Sequence, residues 1–458
     1  MNTNKRIIRV LVAIALLFLA LISYLLWFNM FRASSVYTNP YNRRQWESEQ
    51  HIKRGNIYSS EGELLAETQI GNDNSRVRRY PRGRLYSHII GYASQTYGKT
   101  QLEMTHDADL IGKGNIGISL GDNRPGNNLH LTILDYLQEY AYDQLDGRNG
   151  AIVAMEPTTG QVLAMVSLPD FNPNTIEQDW ADIMEDRSSP FLARATQGLY
   201  PPGSTYKIVT SAAVYENGRT TEVFDDPGVF KQGDVEVSNY AGEVFGSIDI
   251  KSAFEASSNY VFCTLGFEMG AESVRSEAEK FGVNKSFDFD ITTSTSEIQY
   301  DRMTNLDAAL VSIGQGGLVM TPLHVAMMAS AIANNGKMMK PYLVEMVTTE
   351  NGTVIGQTRP TVLYDSVGSA CAAYVKDMMI GVVEEGTGTS ARISGITVAG
   401  KTGTAETDSG KDHSWFVGYA PAENPTICVA VLLENNGTPG GATAAPIARN
   451  IMRRFLQH

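Results

Sequence analysis

The amino-acid sequence predicts an α+β fold, in which a five-stranded antiparallel sheet is flanked by helices. Three observations predict this architecture. Apolar β-forming runs lie at both ends of the segment 129–458, with helical patterns between them, so the two ends of that segment meet in one sheet. Residues 32–128 form short, glycine-punctuated polar runs, which predict a small irregular β-rich domain. An uncharged apolar run near the N-terminus predicts one transmembrane helix.

The apolar run covers residues 10–28 and is long enough to cross a bilayer as a helix. Tyr24 and Trp27 lie near one end of it, where interfacial aromatic residues belong. A cleaved signal peptide is the alternative, but its apolar core is usually shorter and needs small residues at a cleavage site. The run continues into Asn29-Met30-Phe31-Arg32, which is a poor cleavage site, so we expect an uncleaved anchor.

Basic residues precede the apolar run, at Lys5, Arg6 and Arg9. Positive charge favours the cytoplasmic side of a membrane helix. We therefore expect residues 1–9 to form a cytoplasmic tail and residues 10–31 to form a single-pass anchor in the cell membrane. The remainder of the chain would then lie outside the cytoplasm.

The segment 129–458 carries the predicted sheet and its helices. Residues 131–145 are apolar at helical spacing and predict a helix. Two strands flank the turn Pro157-Thr158-Thr159-Gly160 and three lie near the C-terminus, at residues 151–155, 161–166, 395–407, 414–420 and 426–433. A last helix has one apolar face, formed by Ala445, Ala448, Ile451, Met452 and Phe455.

Composition excludes several classes of protein. The formal net charge of −13 argues against a nucleic-acid partner, since phosphate binding needs clustered lysine and arginine. Each of the three cysteines, Cys263, Cys371 and Cys428, lies in an apolar run, which predicts buried small side chains instead of a disulfide framework or metal ligands. The seven histidines are scattered without a His-Glu-x-x-His pattern, so no metal and no cofactor are predicted.

The chemical centre of the chain is Tyr200-Pro201-Pro202-Gly203-Ser204-Thr205-Tyr206-Lys207. The Pro-Pro-Gly sequence cannot continue a helix backwards, so a helix is predicted to begin here. Ser204 and Lys207 would then share one helix face, with the serine near free backbone N–H groups. A lysine in an apolar pocket can lose its proton and act as a base. Ser-x-x-Lys is common by chance, but this pair has the parts of an activated nucleophile.

A second motif is Ser257-Ser258-Asn259. Alone, it is more typical of a helix cap or a polar turn. In a catalytic site, the hydroxyl of Ser257 could relay a proton. The amide of Asn259 could both donate to and accept from a substrate peptide group.

A third motif, Lys401-Thr402-Gly403-Thr404, lies in the strand predicted over 395–407. An outward-facing Lys401 beside Thr402 suits a substrate carboxylate, because it offers one charge and one hydroxyl. Gly403 within a strand marks the close approach of another backbone. This combination fits a peptide bound along the strand edge through its main chain.

The stretch Gly395-Ile396-Thr397-Val398-Ala399-Gly400-Lys401-Thr402 also matches the phosphate-binding loop pattern G-x-x-x-x-G-K-[ST]. That loop needs a buried strand before its first glycine and a helix that begins at its lysine. Here the residues between the glycines are β-formers, and Gly403 interrupts any helix. We therefore favour a substrate-binding strand over a nucleotide site.

Taken in order, Ser204-x-x-Lys207, Ser257-x-Asn259 and Lys401-Thr402-Gly403 resemble the three motifs of the penicillin-binding proteins and serine β-lactamases. Further stretches resemble the same superfamily: Gly314-Gln315-Gly316, Gly386-Thr387-Gly388 and Trp415-Phe416-Val417-Gly418-Tyr419-Ala420-Pro421. The resemblance covers nearly all of the segment 129–458 and implies the transpeptidase fold there.

Upstream, residues 54–66 are similar to the opening of the non-catalytic domain of class B, or monofunctional, penicillin-binding proteins. The resemblance implies a non-catalytic pedestal or dimerisation-like domain over 32–128. Ser59-Ser60-Glu61 replaces the usual Asp-Arg-Asn there, so a salt bridge of the usual kind is not expected.

The resemblance implies a D,D-transpeptidase that cross-links the stem peptides of peptidoglycan in cell-wall synthesis. Ser204 would attack the D-Ala-D-Ala carbonyl and Lys207 would act as its general base. Ser257 would relay the proton to the leaving amine, and Asn259 would orient Lys207 and the substrate amide.

The resemblance also implies the binding groups. Lys401 and Thr402 would hold the terminal carboxylate, with Gly403 and Thr404 on the same substrate strand. Backbone N–H groups of Ser204 and Thr404 would form the oxyanion hole. β-Lactams are expected to acylate and inhibit the protein, and a SEDS-family membrane glycosyltransferase is implied as a partner. A D,D-carboxypeptidase, or a non-catalytic β-lactam sensor or scaffold of the same fold, stays open as an alternative.

Overall fold

The computed structural model describes residues 3–31, 52–72, 75–112, 125–233, 235–407 and 410–458. The helices are α1 Thr3–Phe31, α2 Ser87–Ile90, α3 Gln101–Thr105, α4 Asp107–Leu110, α5 Asp135–Leu145, α6 Ile176–Glu185, α7 Arg194–Gln197, α8 Lys207–Glu216, α9 Ile250–Glu255, α10 Asn259–Lys280, α11 Asn305–Val311, α12 Pro322–Ala333, α13 Ser369–Glu384 and α14 Gly440–Leu456.

The strands of the first half of the chain are β1 Ile57–Tyr58, β2 Leu64–Ile70, β3 Arg76–Arg79, β4 Ala93–Ser94, β5 Gly98–Lys99, β6 Asn128–Leu131, β7 Gly150–Met155, β8 Val162–Leu168, β9 Val223–Asp226, β10 Val229–Gln232 and β11 Val235–Ser238. Those of the second half are β12 Gly246–Asp249, β13 Glu297–Ile298, β14 Leu318–Val319, β15 Lys337–Met339, β16 Val344–Thr348, β17 Val354–Gln357, β18 Val362–Asp365, β19 Ala399–Ala405, β20 His413–Ala420 and β21 Ile427–Leu433.

The predicted anchor forms one continuous helix, α1. Within it, Ile7–Leu25 has a mean hydropathy of 2.6, and none of this span is buried against the rest of the protein. Exposed leucine, isoleucine and phenylalanine side chains on every side of a helix are stable in lipid but not in water. The segment therefore has the length and composition of a membrane span.

The predicted five-stranded antiparallel sheet is confirmed, and its strands have the order β19-β20-β21-β7-β8. Alternate residues of β7 enter two different cores: Val153 and Met155 lie in one, and Ile152 and Ala154 in the other. Both faces of the sheet are therefore covered, which explains why its strands are apolar throughout. Strand β19 lies at an edge of this sheet, so one side of its main chain is not paired within it.

The helices divide between the two faces of the sheet. Helices α5 and α14 pack on one face through residues such as Leu137 and Ile451. Helices α8, α10 and α12 pack on the other through residues such as Ile208, Phe262 and Met327. The predicted apolar face of the last helix is confirmed, because Ala445, Ala448, Ile451 and Met452 are fully buried.

Two predicted boundaries are wrong. The helix expected over 131–145 begins at Asp135, because Leu131 ends strand β6, which pairs with the distant strands β1 and β16. Long-range pairing here overrides local helical periodicity. The strand expected over 395–407 spans only Ala399–Ala405, because Gly395 has a φ of +78° in a turn that precedes the strand.

The short strands predicted in the N-terminal region contribute to a six-stranded sheet with the order β17-β16-β6-β1-β2-β3. Strands β16 and β17 come from residues 344–357, far along the chain. The predicted domain boundary between residues 128 and 129 falls inside β6, and it stays a prediction.

A buried ion network stabilises this N-terminal region. Arg54 Nε lies 2.5 Å from Glu103 Oε2, and Arg78 Nε lies 2.6 Å from Glu103 Oε1. Burial alone would raise the pKa of Glu103, but the charges of Arg78 and Arg54 outweigh it and hold the pKa below its usual range. Removing one partner from such a network leaves a buried charge unpaired, so each member is structurally important.

The turn Ser59-Ser60-Glu61 is held by hydrogen bonds to backbone N–H groups. Ser59 Oγ accepts hydrogen bonds from the backbone N–H groups of Glu61 and Glu63. The carboxylate of Glu61 accepts from the backbone N–H of Asp135 at 2.5 Å, at the start of α5. This turn therefore joins the N-terminal region to the first helix beside the central sheet.

Candidate active site

Ser204 lies on a 3₁₀ turn, Gly203–Tyr206, directly before helix α8 begins at Lys207. The predicted helix start after Pro201-Pro202 is confirmed, with a first turn that is 3₁₀ instead of α. The residues around Ser204 are buried, whereas Ser204 itself is only half-buried. A nucleophile that meets a substrate needs this partial exposure.

Gly203 allows the nucleophile turn to pack against the edge strand of the sheet. Its φ is +54°, and a Cβ at this position would lie 2.6 Å from the carbonyl oxygen of Thr404. Any side chain would be both strained and in collision. The turn that carries Ser204 therefore lies directly against Thr404 on β19.

The side chain of Lys207 is fully buried and is held by the second motif. Its Nζ donates to Ser257 O at 2.7 Å, to Asn259 Oδ1 at 2.9 Å and to Ser257 Oγ at 3.3 Å. These three bonds use every donor of an ammonium group, and none of them goes to Ser204. The ring of Phe262 lies beside the same nitrogen, 5.3 Å from it.

Lys401 is also fully buried, and its Nζ donates to Ser257 Oγ at 2.9 Å and to Thr402 O at 3.2 Å. Ser257 Oγ thus accepts from Lys207 and from Lys401. A hydroxyl oxygen has two lone pairs, so the O–H of Ser257 remains free to donate elsewhere. The structure brings Lys207, Ser257, Asn259 and Lys401 into one hydrogen-bonded group.

The expectation that Lys401 and Thr402 face outward side by side is wrong. Successive residues of a strand point to opposite faces, and both side chains are buried. Thr402 Oγ1 forms a hydrogen bond of 2.6 Å with Oγ1 of Thr387, a residue at the exposed surface. The side chain of Thr402 is therefore not part of the lysine group, and Thr387 was not identified as its partner from the sequence.

Gly403 does mark a close approach, but of the protein to itself. A Cβ at Gly403 would lie 3.0 Å from Thr205 Cγ2 and 3.1 Å from Pro202 O. Both atoms belong to the nucleophile turn or to the residue before it. The next residue of the strand, Thr404, is half-buried and remains accessible.

Burial sets the protonation of the two lysines. It lowers the pKa of Lys207 to about 7, and the negative charge of Asp226 opposes this lowering. Burial also lowers the pKa of Lys401, and the charge of Lys207 acts in the same direction. Since both Nζ atoms lie within 3.3 Å of Ser257 Oγ, two positive charges there repel each other. Near neutral pH, a substantial fraction of Lys207 is the neutral amine that a general base requires.

The second motif is both a helix cap and part of the site. Ser258 Oγ accepts from the backbone N–H of Val261 and caps α10, as the alternative interpretation expected. The flanking residues Ser257 and Asn259 hold Lys207, as the catalytic interpretation expected. Ser257 adopts a φ of +62°, a left-handed conformation that few non-glycine residues adopt.

Asn239, which was not predicted from the sequence, supports this turn from a separate hairpin. Its Oδ1 accepts from the backbone N–H groups of Asn259 at 2.8 Å and Tyr260 at 3.0 Å. Asn259 Nδ2 in turn donates to Ser238 O at 2.9 Å. Nothing local marks Asn239 as different from any turn asparagine, because its partners lie about twenty residues away.

The chain ahead of Ser204 is fixed by side chains of the sheet. Trp415 Nε1 donates to Pro201 O at 3.0 Å, and the Tyr200 hydroxyl donates to Glu434 Oε1 at 2.5 Å. Glu434 also accepts from Arg194 Nε at 3.0 Å. These bonds fix the path of the nucleophile segment across the strands β20 and β21.

The nucleotide-loop alternative is contradicted by the secondary structure around Lys401. Ala399–Ala405 is a strand that pairs with β20 along its whole length. A phosphate-binding loop needs a helix that begins at its lysine. The lysine here instead points at Ser257.

Comparison with known proteins agrees with this geometry. The penicillin binding protein transpeptidase domain matches residues 150–453, and the penicillin binding protein A dimerisation domain matches residues 54–119. The peptidoglycan D,D-transpeptidase PbpA of Mycolicibacterium smegmatis is 34% identical over 100% of this chain and 99% of its own length. The peptidoglycan D,D-transpeptidase MrdA of Acinetobacter baumannii is 30% identical over 84% of this chain and 66% of its own length.

Solved structures extend the agreement to the fold. The D,D-transpeptidase domain from Eggerthella lenta superposes with a TM-score of 0.80 at 37% identity, covering 89% of this chain and 99% of that domain. Penicillin-binding protein A from M. tuberculosis, in its ceftriaxone acyl-enzyme complex, gives 0.84 at 31% identity over 88% of this chain and 98% of that one. The predicted resemblance to class B penicillin-binding proteins is confirmed. This chain belongs to the family defined by the penicillin-binding protein transpeptidase domain.

Proposed function

We propose that this protein is a peptidoglycan D,D-transpeptidase, which cross-links stem peptides through an acyl-enzyme on Ser204. The observation that carries the proposal is the buried hydrogen-bonded group of Lys207, Ser257, Asn259 and Lys401 beside the turn that presents Ser204. The names of the relatives, and the β-lactam acyl-enzyme complexes of the M. tuberculosis protein, support it.

Acylation begins when the neutral amine of Lys207 takes the proton of Ser204 Oγ. The oxygen then forms a bond to the carbonyl carbon of the penultimate D-Ala, whose oxygen becomes an oxyanion. Backbone N–H groups of Ser204 and Thr404 donate to that oxyanion, and one such donor is worth about 10²–10³ in rate. The half-buried position of Ser204 on a turn packed against Thr404 supports this assignment.

Departure of the last D-Ala requires a proton on its nitrogen. Ser257 Oγ accepts from Lys207 and Lys401, so its own hydrogen is available to the leaving amine. As the C–N bond breaks, that hydrogen moves to the amine and the protonated Lys207 replaces it on Ser257. The proton taken from Ser204 now lies on Ser257, the former hydrogen of Ser257 leaves with D-Ala, and Lys207 is neutral again.

Transfer to the acceptor repeats these steps in reverse. The amine of a neighbouring stem peptide occupies the place that D-Ala has left and attacks the acyl carbon. It gives up a proton through Ser257 to Lys207, which returns a proton to Ser204 Oγ as the ester breaks. The product is an amide cross-link between two stem peptides.

We place the substrate along the edge strand β19, at Thr402, Gly403 and Thr404. An edge strand can pair with an extended peptide through its main chain. Thr402 and Thr387 share one hydrogen bond between hydroxyls, so one hydroxyl hydrogen remains for the terminal carboxylate. The charge of Lys401 lies on the other face of the strand and attracts that carboxylate electrostatically.

We also propose that α1 is an uncleaved anchor, with residues 1–9 in the cytoplasm and the transpeptidase domain outside it. The basic residues that precede the apolar run support this orientation. A SEDS-family membrane glycosyltransferase is the proposed partner, on the strength of the family resemblance. Residues 32–128 would serve as the non-catalytic pedestal next to the anchor, and residues 129–458 as the catalytic domain.

Labelling with a fluorescent penicillin tests the acylation site directly. We expect the full-length protein in detergent to form a covalent band that is absent from Ser204→Ala. Peptidoglycan strands with D-Ala-D-Ala stems should then yield cross-linked dimers by mass spectrometry.

The products separate the alternatives. Trimmed peptides without dimers would identify a D,D-carboxypeptidase instead. Absence of the covalent band in the folded protein, in detergent and in native membranes, would refute the proposal and indicate a scaffold.

A further inference from the structure

Asp226 is a fully buried carboxylate that the proposed mechanism does not use. It ends strand β9, and its Oδ1 accepts from Gly228 N at 2.7 Å and from Asn239 Nδ2 at 3.0 Å. Its Oδ2 accepts from Asn239 Nδ2 at 2.9 Å and from Ser258 Oγ at 2.6 Å. These neighbours are all neutral. Burying a carboxylate among neutral groups is costly, so its presence calls for a physical reason.

The hydrogen bonds of Asp226 lead to the turn that holds Lys207. One path runs through Ser258, which lies between Ser257 and Asn259. The other runs through Asn239, whose Oδ1 accepts from the backbone N–H of Asn259. Both paths converge on a turn whose Ser257 is left-handed, and such a conformation persists only where its surroundings enforce it.

Asp226 also acts on Lys207 through its charge. The titratable groups that interact electrostatically with Lys207 are Asp226, Cys263 on α10 and Lys401 on β19. Burial raises the pKa of the Cys263 thiol to about 12, so that group is neutral at physiological pH. Lys401, when protonated, repels Lys207. Asp226 is therefore the group in this set that supplies a negative charge.

We propose that Asp226 is a positioning residue of the active site, which fixes the turn around Lys207 through Ser258 and Asn239 and balances the charge of the buried lysine pair. The inference rests on the proposed function, in which Lys207 is the base for Ser204. It assigns a role to a residue on strand β9, outside the three motifs. The contact between Asp226 and Ser258 spans 32 positions of the chain.

The pH dependence of acylation separates this role from a merely structural one. Removing the negative charge with Asp226→Asn destabilises the ammonium form of Lys207, so its pKa falls and the neutral amine persists at lower pH. We expect the acid limb of the pH profile, in which the acylation rate falls with falling pH, to shift to lower pH by about half a pH unit or more. Loss of structure alone would lower the rate at every pH and leave the limb in place.

Asp225→Asn is the matched control, because Asp225 precedes Asp226 on the same strand and is exposed. We expect its pH profile to follow that of the wild type. The measurement is the rate of labelling by a fluorescent penicillin from pH 5.5 to 8.5, on full-length protein whose folding is checked by circular dichroism. An acid limb that is identical in Asp226→Asn and in the wild type would overturn the inference.

A second pair of variants applies if Asp226→Asn does not fold. Ser258→Ala keeps the charge of Asp226 but breaks one of its two links to the turn. We expect acylation about tenfold slower, with the acid limb unmoved and the rate restored in Ser258→Thr. A wild-type rate in Ser258→Ala would reject the inference. Wild-type protein that is not acylated at all would instead refute the proposed function on which the inference rests.

Discussion

Replacing Gly203 with alanine tests how closely the nucleophile turn fits the edge strand. Helix α8 is flanked by two glycines with positive φ, Gly203 at +54° before it and Gly218 at +69° after it. A Cβ at Gly203 would lie 2.6 Å from Thr404 O, whereas a Cβ at Gly218 would meet nothing within 4 Å. The two substitutions therefore share the cost of a left-handed alanine, and only the first adds a collision.

The magnitudes follow from these two contributions. A left-handed conformation costs an alanine about 1–2 kcal/mol, which is the destabilisation expected for Gly218→Ala. Thr404 O belongs to a strand that is paired with β20, so the turn must move away from it to relieve the collision. Such displacements cost about 1–3 kcal/mol, so we expect Gly203→Ala to lose about 2–5 kcal/mol in total.

The same displacement affects acylation, because Ser204 is the next residue. Misplacing a reacting group by about 1 Å can reduce a rate about 10²-fold. We expect Gly203→Ala to label with fluorescent penicillin about 10²-fold more slowly than the wild type. Gly218→Ala should keep a rate close to that of the wild type, since it lies at the far end of α8.

Denaturant melts and labelling rates of the full-length variants measure both effects. Equal destabilisation by the two substitutions, together with wild-type acylation of Gly203→Ala, would refute the reasoning. The turn and the strand β19 would then be free to separate without consequence for the site.

Because the pKa of Lys207 is about 7, the labelling rate should fall about tenfold for each pH unit below that value. A labelling rate that does not change between pH 5 and pH 8 would contradict the role of Lys207 as base. Trp415→Phe removes the indole donor to the chain ahead of the nucleophile, and denaturant melts should show a loss of about 1–2 kcal/mol together with slower labelling. Wild-type stability and rate would show that this hydrogen bond is dispensable. Burial lowers the pKa of His106, but its hydrogen bonds to Asp109 and Asp290 outweigh this and raise the pKa to about 9. Protonated His106 therefore stabilises the folded state by about 1–3 kcal/mol. This contribution should be complete below about pH 6.5, where the histidine of the unfolded chain is also protonated, and should be lost as the pH rises through 9. Thermal melts of His106→Asn should lack this decline, and an unchanged decline would show that another group causes it.

Sequence predicted best what local geometry determines. Ser204 and Lys207 lie within one turn, so their placement followed from the helix start at Pro201-Pro202. The hairpin at Pro157-Thr158-Thr159-Gly160 was equally local, and Gly160 has the positive φ of +84° that its turn requires.

Sequence failed where a side chain's surroundings come from distant segments. Lys401 was expected to face outward, but both faces of the central sheet are covered. The alternation of side chains along a strand therefore could not identify its environment. Leu131 was assigned to a helix because its pairing partners, β1 and β16, are not neighbours in sequence. Asn239 gave no signal, and Thr387 stood out only as part of the stretch Gly386-Thr387-Gly388, since their roles consist of contacts to Asn259 and Thr402.

The six-stranded sheet has a consequence for the order in which the chain can fold. Strands β1, β2 and β3 are synthesised first, but β6 gains its second neighbour only when residues 344–348 have been made. Until then β6 presents an unpaired row of N–H and C=O groups, which can template pairing with another chain. Closing a sheet across so long a loop is slow, so the region next to the anchor completes its folding among the last parts of the molecule. A nascent or truncated chain that ends before β16 would therefore be the form most prone to aggregate.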